Sequence, residues 1–227
     1  MHLKMLHGYT DNYKKYLFYA ILKKEFNFEN DFDELDNGTF GTKYNDIKYF
    51  GINKDSDSKL YNQVEVLYYN SESDFAVILN TKEGEQVILC RGAKGKKFAT
   101  IYNNIMEKAN AYKGNKKFTE DDSLKVPSIK FNTKKEFNEL CSKEFYAKDG
   151  DKCIIEQAIQ TIELEMDKSG GKIKSEAAIV MVKGTAMMPV EEQRYFYLND
   201  EFTMFLKEKD KETPYFAANI EDITLFQ

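Results

Sequence analysis

Residues 196–220 read FYLNDEFTMFLKEKDKETPYFAANI, and this stretch decides the fold. Two apolar runs, at 202–206 and 215–220, flank residues 207–212, all of which are charged. Such a charged run is too polar to be buried, so it marks a turn between two strands. The sequence therefore predicts a β-hairpin that closes the chain.

Several upstream segments also read as strands. Residues 16–22 include an unbroken apolar run, which is typical of a strand buried on both faces. The runs 64–69 and 75–79 flank a polar turn at 70–74 and predict a second hairpin. Shorter strands are predicted at 46–52, 87–90 and 177–182, and Ser169-Gly170-Gly171 is predicted to form a turn.

Residues 154–166 form the longest predicted strand. Apolar Ile162, Leu164 and Met166 alternate with Glu163 and Glu165, so one face of this strand is apolar and the other is acidic. Two carboxylates on one face are candidates for a general acid and base. Nothing in the sequence places a substrate cleft opposite them, and we expect both to face solvent.

Two helices interrupt the strands. Apolar residues recur every three or four positions over 98–112, which predicts one amphipathic helix that ends at Gly114. A second, short helix is predicted over 134–142, with Thr133 as its N-cap. The class is therefore α+β, dominated by strands.

Composition restricts the functions of the chain. A net charge of −5 gives no basic footprint for nucleic acid, and no apolar run is long enough to span a membrane. The first residues lack the apolar run of a secretory signal, so the sequence as given predicts a cytoplasmic protein, or a secreted one if the natural start lies upstream. We expect a single domain over residues 1–227, with residues 1–12 mobile.

Catalytic chemistry is poorly supported by the residue types present. The only histidines are His2 and His7, near the terminus, and a Ser-His-Asp or Cys-His pair would need one of them in the core. Cys90, Cys141 and Cys153 lack metal-ligand spacing and suit a reducing compartment. We expect no enzyme activity, no metal and no cofactor.

The closing hairpin resembles a family pattern. Residues 196–206 fall into register with F-x-A-D-H-P-F-x-F-x-I, and 215–220 with L-F-x-G-R-V, the two segments that end a serpin. Here Asp200-Glu201 replaces the His-Pro of the pattern, and Ala218-Asn219 replaces its Gly-Arg.

Four more segments resemble serpin strands in the family's order. Residues 63–69 resemble Q-V-L-E-L-P-Y, 126–131 resemble L-P-K-F-K-I, and 154–166 resemble the strand that leads to the loop hinge. Residues 19–28 resemble the strand ending in Y-F-K-x-x-W, with Phe26 in place of Trp. The resemblance implies serpin-like mixed sheets with a few helices, beginning at about the third strand of the family's large sheet, without the N-terminal helical third.

The resemblance also implies a reactive loop. Its hinge would be Glu176, Ala177 and Ala178, which match the family's E-A-A, and the bait bond would join Met187 to Met188. From the residues alone, 180–188 is equally an interior strand whose methionines fill the core.

Three hypotheses follow. The first is a suicide-substrate inhibitor of serine or cysteine proteases, whose activity the missing third and the bulky residues after Ala178 would weaken. The second is a non-inhibitory serpin-like binding or assembly module that uses an exposed sheet edge. In this view the strand at 16–22 needs a partner, either another protein or a second copy of the chain. The third is an unrelated α+β domain.

Overall fold

The computed structural model describes residues 2–10, 13–23, 26–171 and 193–226, and strands dominate them. These residues contain one α-helix, α1 (Phe98–Ala111), and three short 3-10 helices (Ser58–Gln63, Asn138–Leu140 and Ile223–Phe226). The strands are β1 (His2–Thr10), β2 (Tyr13–Lys23), β3 (Phe26–Asn27), β4 (Asp33–Phe40), β5 (Tyr44–Ile52), β6 (Val64–Ser71), β7 (Asp74–Asn80), β8 (Glu85–Arg91), β9 (Asp122–Pro127), β10 (Ile129–Glu136), β11 (Glu144–Tyr146), β12 (Lys152–Met166), β13 (Gly170–Gly171), β14 (Arg194–Tyr197), β15 (Phe202–Glu208) and β16 (Phe216–Ile220). The α+β class is confirmed.

The chain divides into two compact units. One contains Met1–Lys24 and Lys130–Glu165, and the other contains Glu25–Ile129 and Met166–Gln227. The single-domain organisation stays a prediction.

The larger unit contains the predicted hairpins. Strands β15 and β16 pair antiparallel from Phe202 opposite Ile220 to Leu206 opposite Phe216, which confirms the closing hairpin. The predicted pair at 64–69 and 75–79 is also confirmed as β6 and β7. Together with β8 they form a five-stranded antiparallel sheet in the order β16-β15-β8-β7-β6.

Helix α1 packs on this sheet through the face that the sequence predicts. Ile101, Tyr102, Ile105 and Ala109 are buried against it, together with Phe205 from β15. The helix ends because Tyr112 takes an extended conformation (φ −65°, ψ 128°). The predicted end at Gly114 is therefore wrong, since the chain leaves the helix before reaching it.

A second sheet in the larger unit has four strands in the order β14-β9-β5-β4. Strand β14, which follows residues 172–192 in the chain, lies at the edge of this sheet and pairs in parallel with β9. The predicted strand at 46–52 is confirmed as part of β5.

The smaller unit is built on a sheet in the order β1-β2-β12-β10, with β11 paired to β12. The predicted strands at 16–22 and 154–166 are β2 and β12. Burial of β2 on both faces is wrong for its described side chains: Leu17, Phe18, Ala20 and Leu22 are half-buried, and Tyr16 alone is buried. No α-helix among the described residues of this unit covers the sheet.

Strand β1 is an element that the sequence did not reveal. It pairs antiparallel with β2 from His2 opposite Ile21 to Thr10 opposite Tyr13. The expectation that the strand at 16–22 lacks a partner within the chain is therefore wrong, because β2 has neighbours on both sides. The edge of the sheet is formed by β1 instead. Mobility of residues 1–12 stays a prediction.

Two sequence assignments around residue 130 are corrected. The predicted helix over 134–142 is wrong, because Thr133 and its neighbours continue β10, and a single 3-10 turn, Asn138–Leu140, follows. Pairing of β10 with β12 has overridden the weak helical pattern. The segment 126–131 is two strands, because β9 ends at Pro127 and β10 begins at Ile129.

Candidate functional site

The predicted bait bond, Met187 to Met188, and the predicted hinge, Glu176, Ala177 and Ala178, lie within 172–192, outside the described residues. The structure describes the chain on both sides of this segment. Strand β13 precedes it and β14 follows it, one residue after its end. The structure therefore describes the candidate site through these two flanking strands, β13 and β14.

The chain before the segment is fixed by a tight turn. Asp167 and Gly170 exchange backbone hydrogen bonds, each 3.0 Å long, and β13 then pairs with β3. Gly170 has φ +115°, and a Cβ there would lie 2.4 Å from the carbonyl oxygen of Phe26. Only glycine fits this approach. The predicted turn at 169–171 is thus displaced, since it spans 167–170, and Gly170–Gly171 is already a strand.

The chain after the segment is fixed by Arg194, which is buried. Its Nε and Nη2 atoms donate to the two carboxylate oxygens of Asp122, at 2.8 Å and 2.7 Å. Nη2 also donates to the carbonyl of Lys117 at 2.8 Å, and Nη1 donates to the carbonyl of Asn115 at 2.6 Å and to the Tyr112 hydroxyl at 3.4 Å. Strand β14 is therefore bound both to β9 and to the connection between α1 and β9.

Electrostatics favour the charged state of Arg194. Burial by itself would lower the pKa of Arg194, but the hydrogen bonds and the attraction of Asp122 outweigh it and raise the pKa above its ordinary value. Asp122 is 2% exposed and also accepts hydrogen bonds from the backbone N and the hydroxyl of Thr119, at 2.7 Å and 3.1 Å. The carboxylate is thus well satisfied despite its burial.

The other end of β14 is held by Arg91, from β8. Its Nη1 atom donates to the carbonyl of Tyr197 at 3.1 Å and to the side-chain oxygen of Asn199 at 3.0 Å. Its Nη2 atom donates to Asp200 at 3.1 Å. Arg91 and Arg194 are the only arginines in the sequence, against 31 lysines among its 33 lysine and arginine residues. Sequence reasoning missed both as functional candidates. Their rarity in a lysine-rich chain is the signal that was available.

A polar cavity of about 630 Å³ opens beside β14. Its lining residues include three tyrosines, Tyr69, Tyr112 and Tyr195, and one acidic residue, Glu72. Gln193 and Arg194 also line it, so the cavity borders the point at which the described chain resumes.

The two central strands of the smaller unit are directly paired. Strands β2 and β12 run parallel over ten register pairs, from Lys14 opposite Cys153 to Lys23 opposite Glu163. The register shifts once, between Ile155 and Gln157. Such an irregularity locally disrupts the ladder between the strands.

Charged residues mark the start of this strand pair. Lys14 forms ion pairs with Asp149 and Asp151 in the turn before β12. The hydrogen bond to Asp151, together with the attraction of both carboxylates, raises the pKa of Lys14 above its ordinary value. Glu163, on the acidic face of β12, is exposed as predicted, while Glu165 is half-buried and pairs with Lys130 at 3.4 Å.

A second cavity, of about 340 Å³, lies between α1 and the hairpin of β15 and β16. Its wall is largely aromatic, from Phe98, Tyr102, Phe205, Tyr215 and Phe216. Phe98 is 43% exposed, which is unusual for a large apolar side chain and leaves its ring available at the mouth.

The cysteines are free, and two of them are buried. Burial raises the pKa of the Cys90 thiol to about 11, although the Tyr68 hydroxyl lies 3.4 Å from its sulfur. A thiol with such a pKa is a poor nucleophile at neutral pH. The described part of the chain contains no group of three or more His, Cys, Asp or Glu side chains able to hold a metal ion. It also contains no helix with the length and apolarity to cross a membrane.

No family model matches the sequence, and no curated protein matches it. Solved structures do match the fold. Serpin48, a highly specific serpin of the insect Tenebrio molitor, superposes with a TM-score of 0.55 at 12% identity, over 91% of this chain and 55% of its own. Thyroxine-binding globulin in complex with thyroxine superposes with a TM-score of 0.60 at 11% identity, over 92% of this chain and 56% of its own. The human thyroxine-binding globulin complex gives a TM-score of 0.59 at 11% identity, over 96% of this chain and 59% of its own.

This chain spans little more than half the length of the solved proteins that it matches. The likeness nevertheless covers almost all of its own residues, from 91% to 96% of the chain. The fold is serpin-like, as the five sequence segments predict, and it corresponds to about half of a full serpin fold.

Proposed function

We propose that this protein is a bait for serine or cysteine proteases, in which Met187–Met188 is the bond attacked and the segment 172–192 then inserts between β2 and β12. The protease forms an ester or thioester with the carbonyl carbon of Met187 and releases the amine of Met188. Insertion must precede hydrolysis of this acyl-enzyme for the protease to stay bound.

The direct parallel pairing of β2 and β12 is the observation that carries this proposal. A segment that reverses direction after β12 runs antiparallel to β12, and therefore also antiparallel to β2. It can form an antiparallel ladder with each of them. Insertion exchanges one parallel ladder of ten register pairs for two antiparallel ladders, so it gains backbone hydrogen bonds overall.

The central place of β2 and β12 supports the same proposal. Strand β1 lies outside β2, and β10 lies outside β12. An inserted strand would therefore have two strands of the sheet on each side. The half-buried apolar side chains of β2 would gain contacts with the apolar residues that follow Ala178. Small hinge residues Ala177 and Ala178 suit the first part of such an insertion, because they enter the sheet with little steric hindrance.

The experiment incubates the protein with a panel of serine and cysteine proteases and separates the products on denaturing gels. We expect a covalent complex with at least one protease and a released peptide that begins at Met188. Met187→Asp should abolish both products for that protease, whereas the control Met106→Leu, on α1, should change neither. Cleavage elsewhere, or cleavage at Met187 with no complex for any protease, contradicts the proposal.

Ala178→Arg separates cleavage from trapping. The charged side chain would have to enter the sheet, which is costly, so cleavage should continue while the complex disappears. The matched control Ala178→Ser is small and should keep the complex.

A non-inhibitory carrier of an apolar ligand is the second candidate, and the aromatic cavity under α1 favours it. A solved neighbour with the same fold holds thyroxine, and a cavity of about 340 Å³ accommodates a small aromatic molecule. Titration with thyroxine, followed by tyrosine fluorescence, tests this. Saturable binding that Phe98→Ser weakens would support the carrier, provided that the control Leu225→Ser, at an exposed apolar residue away from the cavity lining, leaves it intact.

A third candidate is assembly through the edge of the smaller sheet. Strand β1 forms this edge among the described residues, and unpaired backbone groups at a sheet edge are a template for another strand. Sedimentation over a range of protein concentrations tests it, with a concentration-dependent dimer as the supporting result.

A further inference from the structure

Strand β14 has little backbone pairing to hold it in place. It is four residues long, and it pairs with one neighbour, β9, in the part of the chain that the structure describes. The pairing is parallel, which is slightly weaker for each residue than antiparallel pairing. Side chains must therefore supply much of the force that keeps β14 on the sheet.

Strand β14 has two buried side chains, Arg194, which is charged, and Phe196, which is apolar. Phe196 is fully buried, and its ring centroid lies 5.0 Å from that of Tyr69, 5.3 Å from Phe75 and 5.7 Å from Phe118. The guanidinium of Arg194 lies 5.5 Å from the Phe196 ring. The charged group of Arg194 therefore lies next to the buried ring of Phe196.

The two arginines of the chain form hydrogen bonds at opposite ends of β14. Arg194, at its first residue, is bonded to Asp122 of β9, and Arg91 reaches its last residue, Tyr197, from β8. A guanidinium can donate five hydrogen bonds in a fixed planar fork, which an ammonium group cannot reproduce. Arg194 uses this fork on one carboxylate, two carbonyls and one hydroxyl.

We propose that Arg194 and Arg91 are positioning residues that clamp β14 to its neighbour β9 and to β8 of the five-stranded sheet in the larger unit, and so fix the chain immediately after the bait segment. This rests on the proposed function in one respect only, the assignment of the bait to 172–192. The clamp acts by preventing local detachment of β14. When the clamp is lost, β14 and β9 separate from each other, while the five-stranded sheet of the larger unit remains folded.

Hydrogen exchange read by mass spectrometry tests the clamp without any protease. In Arg194→Met, peptides that cover β14 and β9 should exchange about 100-fold faster, because a buried carboxylate is left without its partner and the strand opens locally. Peptides from β15 and β16 should change no more than they do in the control Lys108→Met. This control removes a half-buried ion pair of the same unit, the one that Lys108 forms with Asp74 at 2.7 Å.

Uniform acceleration in all strands would overturn the proposal, because it would show that Arg194 contributes to global stability alone. Unchanged exchange in β14 would also overturn it. Arg91→Met should accelerate exchange at Tyr197 and the residues after it more than at Arg194. If Arg194→Met does not fold, Asp122→Asn carries the same test, since it removes the charge and keeps the shape.

The conservative variant Arg194→Lys tests the fork itself. It keeps the positive charge, but its ammonium has three N–H donors and cannot replace the five hydrogen bonds that the planar guanidinium makes. Its β14 peptides should exchange nearly as fast as those of Arg194→Met, and wild-type protection in this variant would overturn the role of the guanidinium.

A protease assay then separates this inference from the proposed function. Arg194→Met should still be cut at Met187 but should form at least about fivefold less covalent complex than wild type, since the chain after the bait is no longer fixed. Local opening of β14 with no complex for the wild type supports the clamp and contradicts the bait. Complex formation by both proteins in equal yield supports the bait and contradicts a role for the clamp in trapping.

Discussion

Arg194 and Asp122 form a two-bond ion pair, 2.8 Å and 2.7 Å long, between residues 72 positions apart in the chain. Both residues are buried, with 8% and 2% exposure. The pair joins the strand after residues 172–192 to the middle of a sheet. Buried ion pairs contribute little net stability, because desolvation of the two charges offsets their attraction. Replacing only one partner is strongly destabilising, because the other is left buried without a partner.

The first prediction concerns this asymmetry. Arg194→Met should lower the free energy of the local opening that separates β14 from β9 by about 3 kcal/mol, since the buried carboxylate of Asp122 then lacks its guanidinium partner. The double variant Arg194→Met with Asp122→Leu should be more stable than either single variant, because no charge is then left alone. Hydrogen exchange of the β14 and β9 peptides in the four proteins measures this cycle, and additive losses would contradict it.

The second prediction concerns Asp74, which joins β7 to α1 through Lys108. Burial acts to raise its pKa, but hydrogen bonds from Asn70 and Lys108 outweigh burial and lower the pKa below the ordinary value. A lowered folded-state pKa stabilises the fold above the unfolded pKa of about 3.9, and this contribution is lost as the pH falls through the folded value.

Asp74→Asn should therefore cost about 0.5–1 kcal/mol at pH 7, and this cost should shrink as the pH falls below the ordinary value of about 3.9. Urea unfolding at several pH values measures the difference. Asp55→Asn, at an exposed loop position, is the control for the removal of one carboxylate from the surface. A constant cost for Asp74→Asn down to the lowest pH would contradict the prediction.

The third prediction concerns thiol reactivity. Cys90 and Cys153 are 1% and 0% exposed, whereas Cys141 is half-buried. At pH 8 the native protein should react with an aromatic disulfide reagent at one thiol, and at the other two only after unfolding. Cys141→Ser should abolish the fast reaction. A fast reaction that persists in this variant would show that one of the buried thiols is accessible.

The fourth prediction compares two glycines with the same backbone conformation. Gly84 and Gly92 both have φ +82°, but a Cβ at Gly84 meets nothing within 4 Å, whereas one at Gly92 lies 2.4 Å from the carbonyl oxygen of Ser73. Gly84→Ala should cost about 1–2 kcal/mol for the left-handed backbone alone. Gly92→Ala should cost clearly more, because the hairpin of β6 and β7 must also shift. Equal losses in thermal unfolding would contradict the steric argument.

The closing hairpin and α1 could be predicted from sequence because each has a strong local pattern. The charged run 207–212 separates two apolar runs, and the helix repeats apolar residues at helical spacing over 98–112. Both patterns are set by residues close in the chain, and the structure has both elements where the pattern places them. The order of the five serpin-like segments then predicted the fold.

Elements defined by distant partners could not be predicted. Strand β1 exists through its pairing with β2, and β10 continues past Thr133 because β12 lies beside it. The partly open faces of β2 also violate the rule that an unbroken apolar run is buried, since the described residues of the smaller unit contain no α-helix to cover them. The ion pair of Arg194 with Asp122 has no local signature either. Only the scarcity of arginine in the chain indicates it.

The central claim is that the segment 172–192 becomes a new strand between β2 and β12 after cleavage, and the melting temperature before and after cleavage tests it most directly. The account predicts a rise of about 10 °C or more, which for a chain of this size corresponds to roughly 3–5 kcal/mol from the added ladders. Ala178→Arg, cleaved at the same bond, should show no rise. A wild-type melting temperature that stays constant or falls on cleavage at Met187–Met188 would contradict the account.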